Sequence, residues 1–514
     1  MKMKLLLFII ILAVFAACTL KEKAIEQPNI LFIMTDDHSY QTISAYSDKL
    51  IQTPNLDRIA NEGVIFHNSF VGNSICAPSR ATMLTGKHTH KNGQINNSVT
   101  FDGSQVTFPK LLKQVGYQTA LIGKWHLRSD PTGFDYWNIL PGQGQYYNPD
   151  FIEMGEQKQF EGYCTTLTTD FGLRWLENRD KEKPFCLLLH HKAPHRTWQP
   201  DTLHLAEFKD IVYPVPENFF DDYEGRQAAA EQRLSIRSTD MDVQYDLKME
   251  DPEGRIESRF PWMKHTARMN DSQKQAWQAH YQPITKDFVE SELKDDELYL
   301  WKYQRYMRDY LACIRSVDEN IGRVLDYLEA NELLENTLVV YTSDQGFYMG
   351  EHGWFDKRFM YEQSFRTPLM MRLPKGYTRK GEVPEMVQNI DYAPTFLDFA
   401  GVEIPEEIQG KSIKPLLIDD RKVDWRDAVY YHYYEFPNEH MVKKHYGVRT
   451  DHYKLIHFYD DIDVWELYDL EYDPDEMNNV FGQPEYAEVQ KKLEIRLTEL
   501  QKEYDDDTIN SADK

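Results

Sequence analysis

The sequence has few cysteines and few positive charges for its length. Five cysteines among 514 residues are too few for a disulfide scaffold. Lysine and arginine number 58 against 83 acidic residues, and the net charge of −25 argues against nucleic acid as the main partner. A small anionic ligand remains compatible with this charge, because salt screens a local cationic site from distant acidic groups.

Long apolar runs are missing beyond the N-terminus. The composition also differs from that of a disordered chain. No later segment reaches the roughly 20 apolar residues of a transmembrane helix. Hydrophobic residues make up 41% and charged residues 27%, which is ordinary for a globular protein. The length predicts about three domains, or one large α/β domain with a smaller partner.

The first 18 residues have the pattern of an export signal. Two lysines precede an apolar run at residues 5–17, which is too short to span a membrane comfortably. Ala16 and Ala17 stand directly before Cys18, which resembles a bacterial lipobox and predicts a lipid on that cysteine. Ordinary cleavage after Ala17 without a lipid is the alternative. Either interpretation predicts export to the periplasm or cell surface of a bacterium, with membrane contact only through this anchor.

Four short apolar runs are each followed by polar, chemically useful residues. Continuous apolar runs predict strands that are buried on both faces of a parallel sheet. The runs are residues 29–34, 119–122, 185–189 and 338–342. They lead into residues 35–38, 123–126, 190–195 and 343–346. Because ligands bind beyond the carboxyl ends of parallel strands, we expect these polar segments to meet at one edge of the sheet.

Strands that alternate with helical patterns, the clearest at residues 310–332, predict an α/β fold with a large, mostly parallel sheet flanked by helices. Residues 200–300 hold prolines, charges and few apolar runs, which indicates an insertion that forms a lid or surface excursion. We predict a main domain at residues 28–425. A smaller C-terminal subdomain, with antiparallel strands and a final helix at about 485–503, is predicted at 426–505.

The segment at residues 74–80 reads SICAPSR. Cys76, Pro78, Ser79 and Arg80 match the signature C-x-P-S-R, so the chain resembles the formylglycine-dependent (type I) sulfatases. Further family motifs occur in the same order, namely TDD at 35–37, GKWH at 123–126, APH at 193–195, SDxG at 343–346 and FDK at 355–357. For Cys76 alone, a buried cysteine in a turn is the alternative; the combination of motifs argues against it.

The resemblance implies an alkaline-phosphatase-like fold and hydrolysis of a sulfate ester. It also implies that a maturation enzyme oxidises Cys76 to formylglycine (3-oxoalanine), whose hydrated aldehyde is the nucleophile. The start of the helix after Pro78 offers free N–H groups to an anion. The partners expected from this interpretation are a sulfated sugar and the formylglycine-generating enzyme.

A cluster of oxygen ligands predicts a calcium site. Carboxylate and amide oxygens favour Ca²⁺, and two adjacent acids at the end of a buried strand would repel each other without a cation. A helix or turn cap is the alternative for that pair. The resemblance assigns Asp36, Asp37 and Asp344 to the metal, beside the residue made from Cys76. Gln345 replaces the commoner asparagine, so its carbonyl can ligate but reaches one methylene further.

The resemblance also assigns the remaining catalytic roles. It gives Arg80 the task of steadying the formylglycine and gives Lys124 a contact with the sulfate. His126 is then the base that deprotonates the second hydroxyl and so expels sulfate. His195 and Lys357 meet the leaving oxygen, with His195 as the general acid.

The sugar specificity is predicted from the walls around this site. Residues 86–97, Tyr146, Tyr147, Asn148 and 193–195 resemble the branch that removes 6-O-sulfate from N-acetylglucosamine in glycosaminoglycans such as heparan sulfate. This branch predicts N-acetylglucosamine-6-sulfate as the substrate.

Four further residues are candidates for substrate binding. Asp356 and Arg358 flank Lys357 and could read sugar hydroxyls by accepting and donating hydrogen bonds. A surface salt bridge is the alternative for this pair. His90 could touch the sulfate-side network, and His445 could approach from the C-terminal subdomain, with a structural role as the alternative for each.

Other functions stay open at this point. One is a sulfatase for another position of a sulfated glycan. Another is a formylglycine-dependent phospho- or phosphonate ester hydrolase, although GKWH favours a sulfatase. A lipoprotein that binds sulfated glycans without turnover would result if Cys76 were never oxidised.

Overall fold

The computed structural model describes residues 27–251, 253–418 and 423–507. The predicted export signal, with Cys18, lies outside these ranges. Within them, no helix is long and apolar enough to cross a membrane.

The described residues form three sheets. The strands are β1 Asn29–Thr35, β2 Val64–Phe66, β3 Ser69–Phe70, β4 Gln118–Lys124, β5 Tyr136–Leu140, β6 Asp150–Glu153, β7 Glu156–Gln159, β8 Phe185–His190, β9 Thr337–Ser343, β10 Leu369–Arg372, β11 Gly381–Val383, β12 Val387–Gln388, β13 Ala428–Tyr433, β14 His445–Thr450, β15 Tyr453–Phe458 and β16 Val464–Asp469. The large sheet has ten strands in the order β11-β2-β10-β9-β1-β8-β4-β5-β6-β7, and β12 pairs with β3. The third sheet has the order β13-β14-β15-β16.

Helices cover the large sheet. The α-helices are α1 Pro54–Glu62, α2 Cys76–Thr85, α3 Thr89–Asn92, α4 Phe108–Gln114, α5 Cys164–Asn178, α6 Gln227–Glu231, α7 Asp271–Ser291, α8 Asp295–Ala330, α9 Glu362–Phe365, α10 Tyr392–Phe399 and α11 Ala487–Glu503. The helix predicted at 310–332 is the second half of α8, which begins 15 residues earlier. Its first turn carries three acidic residues, and several tyrosines follow, which hide the apolar stripe.

The centre of the large sheet is parallel, as predicted, and its margins are mixed. Strands β9, β1, β8, β4 and β5 run parallel, whereas β10 and β6 pair antiparallel with their neighbours. In β1, Leu31 and Ile33 pack into one hydrophobic cluster, and Ile30, Phe32 and Met34 pack into another. This burial on both faces explains why the central strands read as continuous apolar runs.

The segment at residues 200–300 is not a surface excursion, which corrects that part of the prediction. Phe208, Phe219, Met241 and Leu247 are buried in the same hydrophobic cluster as α8. These apolar residues stand singly among polar ones, so no periodic pattern marks their burial in the sequence. The segment therefore forms a packed wall over one part of the sheet.

The C-terminal part forms a four-stranded antiparallel sheet and ends in a helix, which confirms the predicted antiparallel strands and final helix. Helix α11 packs Leu493, Leu497 and Leu500 against one face of this sheet. The other face contributes Tyr431 and Ile456 to a cluster shared with the main domain. The boundary near residue 425 stays a prediction.

Candidate active site

The polar segments that follow four central strands lie side by side at one sheet edge. The last residues of β1 and β9, Thr35 and Ser343, are paired, and His190 of β8 pairs with Gly123 of β4. Gly123 has a φ of 103°, and a Cβ there would lie 1.9 Å from His190 O. Glycine is thus required for the close approach of β4 to β8 just before Lys124 and His126.

Three buried carboxylates converge at this edge. Asp36, Asp37 and Asp344 each place one carboxylate oxygen within 4.8 Å of the others. Burial, together with the neighbouring acids, raises the pKa of Asp344 to about 8 and that of Asp37 to about 6. Burial also opposes ionisation of Asp36, but Lys124 and other cations hold its pKa well below its usual range. The cluster thus carries negative charge that a cation would stabilise.

The residues around the cluster fit a calcium ion. Gln345 Oε1 is buried and accepts no hydrogen bond from the described residues, while its Nε2 donates to Asp37 Oδ1. Cys76 Sγ lies 3.3 Å from Asp36 Oδ1 and 3.8 Å from Gln345 Nε2. The ligands predicted from the sequence therefore come together, and the unpartnered amide oxygen completes an oxygen-rich set of the kind that Ca²⁺ prefers.

Cys76 is the first residue of α2 and is buried. Burial, and then the negative charge of Asp36, raise the pKa of its thiol. Because the thiolate is the reactive form of cysteine, the unmodified side chain would be a poor nucleophile here. The environment thus favours chemistry by a modified residue at this position.

Arg80 and Lys124 form the cationic side of the cluster. Arg80 donates from Nε and Nη2 to Asp344 Oδ2, at 3.0 and 2.8 Å, and from Nη1 to Lys124 O at 2.8 Å. Lys124 Nζ pairs with Asp36 and donates to Gln143 Oε1 at 2.5 Å. Sequence reasoning missed Gln143; the signal available was its position just after β5, the next parallel strand.

Lys357 and His195 flank Asp37 on the opposite side. Lys357 Nζ donates to Asp37 Oδ2 at 2.7 Å, and His195 Nε2 lies 3.8 Å from the same oxygen. His195 Nδ1 donates to Arg196 O at 2.7 Å, which turns Nε2 toward the cluster. Helix α8 holds this arrangement, because Tyr310 donates from its hydroxyl to Asp37 O at 2.6 Å.

His126 lies beside Lys124, with a φ of 58°. Burial, and then the charge of Lys124, lower its pKa well below the usual range, so the ring is neutral. Its Nδ1 is buried without a hydrogen-bond partner among the described residues. A neutral imidazole with a free ring nitrogen has the properties required of a base.

Asp356 and Arg358 pair with each other in a buried cluster, and not at the surface. His440 Nε2 lies 3.4 Å from Asp356 Oδ2, and Glu439 Oε2 lies 4.0 Å from Arg358 Nη2. Arg196 Nη1 is 3.3 Å from His440 Nε2, which connects this cluster to the loop that carries His195. The sequence carries no signal for His440 and Glu439, since they come from a loop between β13 and β14.

Two histidines predicted to bind substrate have other partners. His90 Nε2 lies 2.7 Å from Tyr504 O, and its Nδ1 lies 3.4 Å from Asp506 Oδ2. His445 is fully buried, donates from Nδ1 to Lys443 O and accepts from the N–H of Met360. Because both nitrogens of each ring face the C-terminal part or buried backbone, these two assignments are corrected to structural roles.

Two family models match the chain. The model described as Sulfatase matches residues 28–402, and the model described as N-sulphoglucosamine sulphohydrolase, C-terminal, matches residues 350–503. Together they cover both the large-sheet part and the C-terminal sheet.

Individual proteins are similar over nearly the whole chain. An N-acetylglucosamine-6-O-sulfatase of Bacteroides thetaiotaomicron is 53% identical over 505 residues, which cover 96% of this chain and 89% of that protein. An uncharacterised sulfatase of Escherichia coli is 27% identical, with 92% and 86% covered. A solved structure described as a complex with its substrate D-glucosamine-2-N,6-O-disulfate has a TM-score of 0.90 and 53% identity, with 94% and 99% covered.

Proposed function

The chain belongs to the sulfatase family, and from this premise we propose that it hydrolyses the 6-O-sulfate ester of N-acetylglucosamine in glycosaminoglycan fragments. One observation carries the proposal, namely that Cys76 shares a buried cluster with Lys124, Lys357 and His195. Near-complete similarity to an N-acetylglucosamine-6-O-sulfatase supports the choice of sugar.

Two groups would complete this site. Conversion of Cys76 to formylglycine by a maturation enzyme would supply a hydrated aldehyde as nucleophile and sulfate carrier. A calcium ion held by Asp36, Asp37, Asp344 and Gln345 would supply positive charge at the sulfuryl oxygens. The buried acids and the unpartnered Gln345 Oε1 support such an ion.

The chain's own residues then orient the ester and move protons. Lys124 holds the sulfate oxygens, Lys357 meets the leaving oxygen beside His195, and Arg80 steadies the side chain at position 76. His195 Nδ1 is engaged by a carbonyl, so Nε2 is the nitrogen that holds a proton toward the leaving oxygen. Burial lowers the pKa of His195 well below its usual range, so the ring is neutral before substrate binds. The negative charge of a bound sulfate acts in the opposite direction and favours the protonated form. His126, which is neutral, accepts a proton when sulfate is expelled.

The location of the protein belongs to the same proposal. A signal at residues 1–18 would export the chain, and a lipid on Cys18 would tether it to the membrane of a bacterium. The sugar site would then face the periplasm or the medium, where glycosaminoglycan fragments are available.

The choice of sugar is tested with a panel of monosulfated sugars and a matched phosphate ester. We expect sulfate release from N-acetylglucosamine-6-sulfate, and much slower reaction with galactose-6-sulfate and with the 6-phosphate. Replacing Asp356 with Asn or Arg358 with Met should lower kcat/KM for the sugar by about 10²-fold, because a hydroxyl loses its partner. A small aryl sulfate serves as the reference, since it has no hydroxyls to read. Preference for galactose-6-sulfate would refute the sugar assignment and leave the sulfatase activity intact.

The general acid is tested by comparing leaving groups in His195→Ala. A sugar alkoxide needs a proton to leave, whereas a nitrophenolate does not. We expect kcat for the sugar sulfate to fall by about 10²–10⁴-fold, and the nitrophenyl sulfate to lose far less. His191→Ala, in the same segment, is the matched control, since no hydrogen bond links its ring to the described residues. Equal losses on both substrates would remove His195 from this role.

A further inference from the structure

A cavity of about 380 Å³ opens beside His195. Its walls come from the loop after β5, the segment after β8 and residues 245–268 of the packed insertion. Four cationic residues line it, namely Lys192, Arg196, Lys264 and Arg268, and the described lining contains no aspartate or glutamate. In a chain with a net charge of −25, a wall with cations and no acids is a local reversal of charge.

Lys192 lies deep in the cavity, and its ammonium group has no ion-pair partner among the described residues. It is 4% exposed, and the ammonium group also forms no hydrogen bond with the described residues, whereas the Lys192 carbonyl accepts from the His195 N–H at 3.1 Å. Its Nζ lies 4.7 Å from the centre of the Tyr146 ring, whose hydroxyl donates to His195 O at 2.5 Å. Burial lowers the pKa of Lys192 to about 8 and Lys124 adds to this, while Asp36 and Asp37 act in the opposite direction without forming an ion pair. A buried ammonium group without a direct ion-pair partner is costly, so this position favours an anion from outside.

The other cations divide into paired and free. Arg196 pairs with Asp246, and Arg268 lies 3.1 Å from Asp150. Lys264, which is exposed at the rim, forms no ion pair with the part of the chain that the structure describes. The cavity therefore holds two lysines without a direct ion-pair partner among the described residues, one deep and one at the entrance.

The scissile sulfate already has its own cations in Lys124, Lys357 and Arg80. Lys192 stands three residues before His195, so a sugar whose leaving oxygen meets His195 can extend into the cavity. We propose that this cavity binds a second oxyanion of the substrate, either a sulfo group on the same sugar or the carboxylate of the neighbouring sugar. The inference rests on the proposed sugar sulfatase function and adds a determinant of specificity to it.

Binding measured without turnover tests the inference. Titration calorimetry of the Cys76→Ala protein compares three ligands: N-acetylglucosamine-6-sulfate, glucosamine-2-N,6-O-disulfate, and N-acetylglucosamine-6-sulfate linked to a uronic acid. The first has one oxyanion, the second adds a sulfo group and the third adds a carboxylate. Each is measured with Lys192 intact, with Lys192→Met, and with the matched control Lys181→Met. Lys181 is exposed and lies before β8, at the opposite end of that strand.

We expect Lys192→Met to weaken at least one doubly charged ligand by about 10- to 100-fold relative to the singly charged one. The ligand that loses affinity identifies the sulfo group or the carboxylate as the source. Lys181→Met should leave the ratios unchanged. An equal loss of affinity for all three ligands would place Lys192 on the scissile sulfate and overturn the inference. The inference would also be overturned if the protein with Lys192 intact bound the doubly charged ligands no more tightly than the singly charged one.

Two additions keep the outcomes separable. If Lys192→Met lowers the melting temperature strongly, two other measurements test the inference: ligand binding by Lys264→Met, and a salt titration of the Cys76→Ala protein. Added salt should selectively weaken the binding of the doubly charged ligand. No selective loss in either would overturn the inference. Sulfate release by the wild type from the singly charged sugar tests the proposed function separately.

Discussion

Replacing Cys76 with alanine abolishes sulfate release, with a loss of at least about 10⁴-fold, while the protein keeps its fold and its affinity for sugar sulfates. The side chain is small and buried at the start of α2, and its contacts are one carboxylate and one amide. Truncation therefore removes the nucleophile and little packing. Activity on N-acetylglucosamine-6-sulfate, thermal unfolding and ligand binding measure the three parts of this expectation.

Cys76→Ser and mass spectrometry refine the same prediction. A serine could accept the sulfo group but has no second hydroxyl from which to expel it, so this variant should accumulate a sulfated enzyme. The peptide containing Cys76 in the wild type should carry the aldehyde or its hydrate. An unmodified thiol together with full activity would contradict the formylglycine assignment. An unmodified thiol with no activity would favour a protein that binds sulfated glycans without turnover.

We predict that replacing Asp344 removes both the proposed calcium ion and the activity. Asp344 contributes a buried carboxylate to the cluster and also pairs with Arg80, so Asp344→Ala leaves Arg80 without its main partner. Asp344→Asn keeps an oxygen for Arg80 and loses only the negative charge. We expect kcat/KM to fall by at least about 10³-fold in both variants, because the sulfuryl oxygens lose the positive charge of the proposed calcium ion.

Elemental analysis checks this prediction directly. The purified wild type should contain one calcium per chain, and both variants should contain much less. Calcium should raise the melting temperature of the chelated wild type and not that of the variants, since only a bound ligand stabilises the native state. Asp48→Ala, a change at an exposed acid outside the cluster, is the control. Full wild-type activity in the presence of a strong chelator would refute the metal site.

The sequence was sufficient to predict four central strands, β1, β4, β8 and β9, and the polar segments that meet at their ends; β5 and the antiparallel margins of the sheet were not predicted. Central parallel strands are buried on both faces, so they appear as apolar runs, and the polar residues after them have no place in the core. Asp36, Lys124 and Asp344 follow such runs, and parallel pairing then brings them together. Local sequence and strand direction together determine this part of the site, which explains why it was predictable.

Only the tertiary structure determined which partners the histidines have and which residues line the cavity. His90 and His445 look as chemically capable as His195, but their nitrogens face Tyr504 and Met360, partners that are distant in the sequence. Lys192 appears in the sequence as one more charged residue. Whether its ammonium group has an ion-pair partner depends on the segments that pack around it. The segment at residues 200–300 is buried through single apolar residues that follow no periodic pattern in the sequence. Such contacts join segments far apart in the chain, so no local pattern encodes them, and packing alone determines which polar groups stay free to bind.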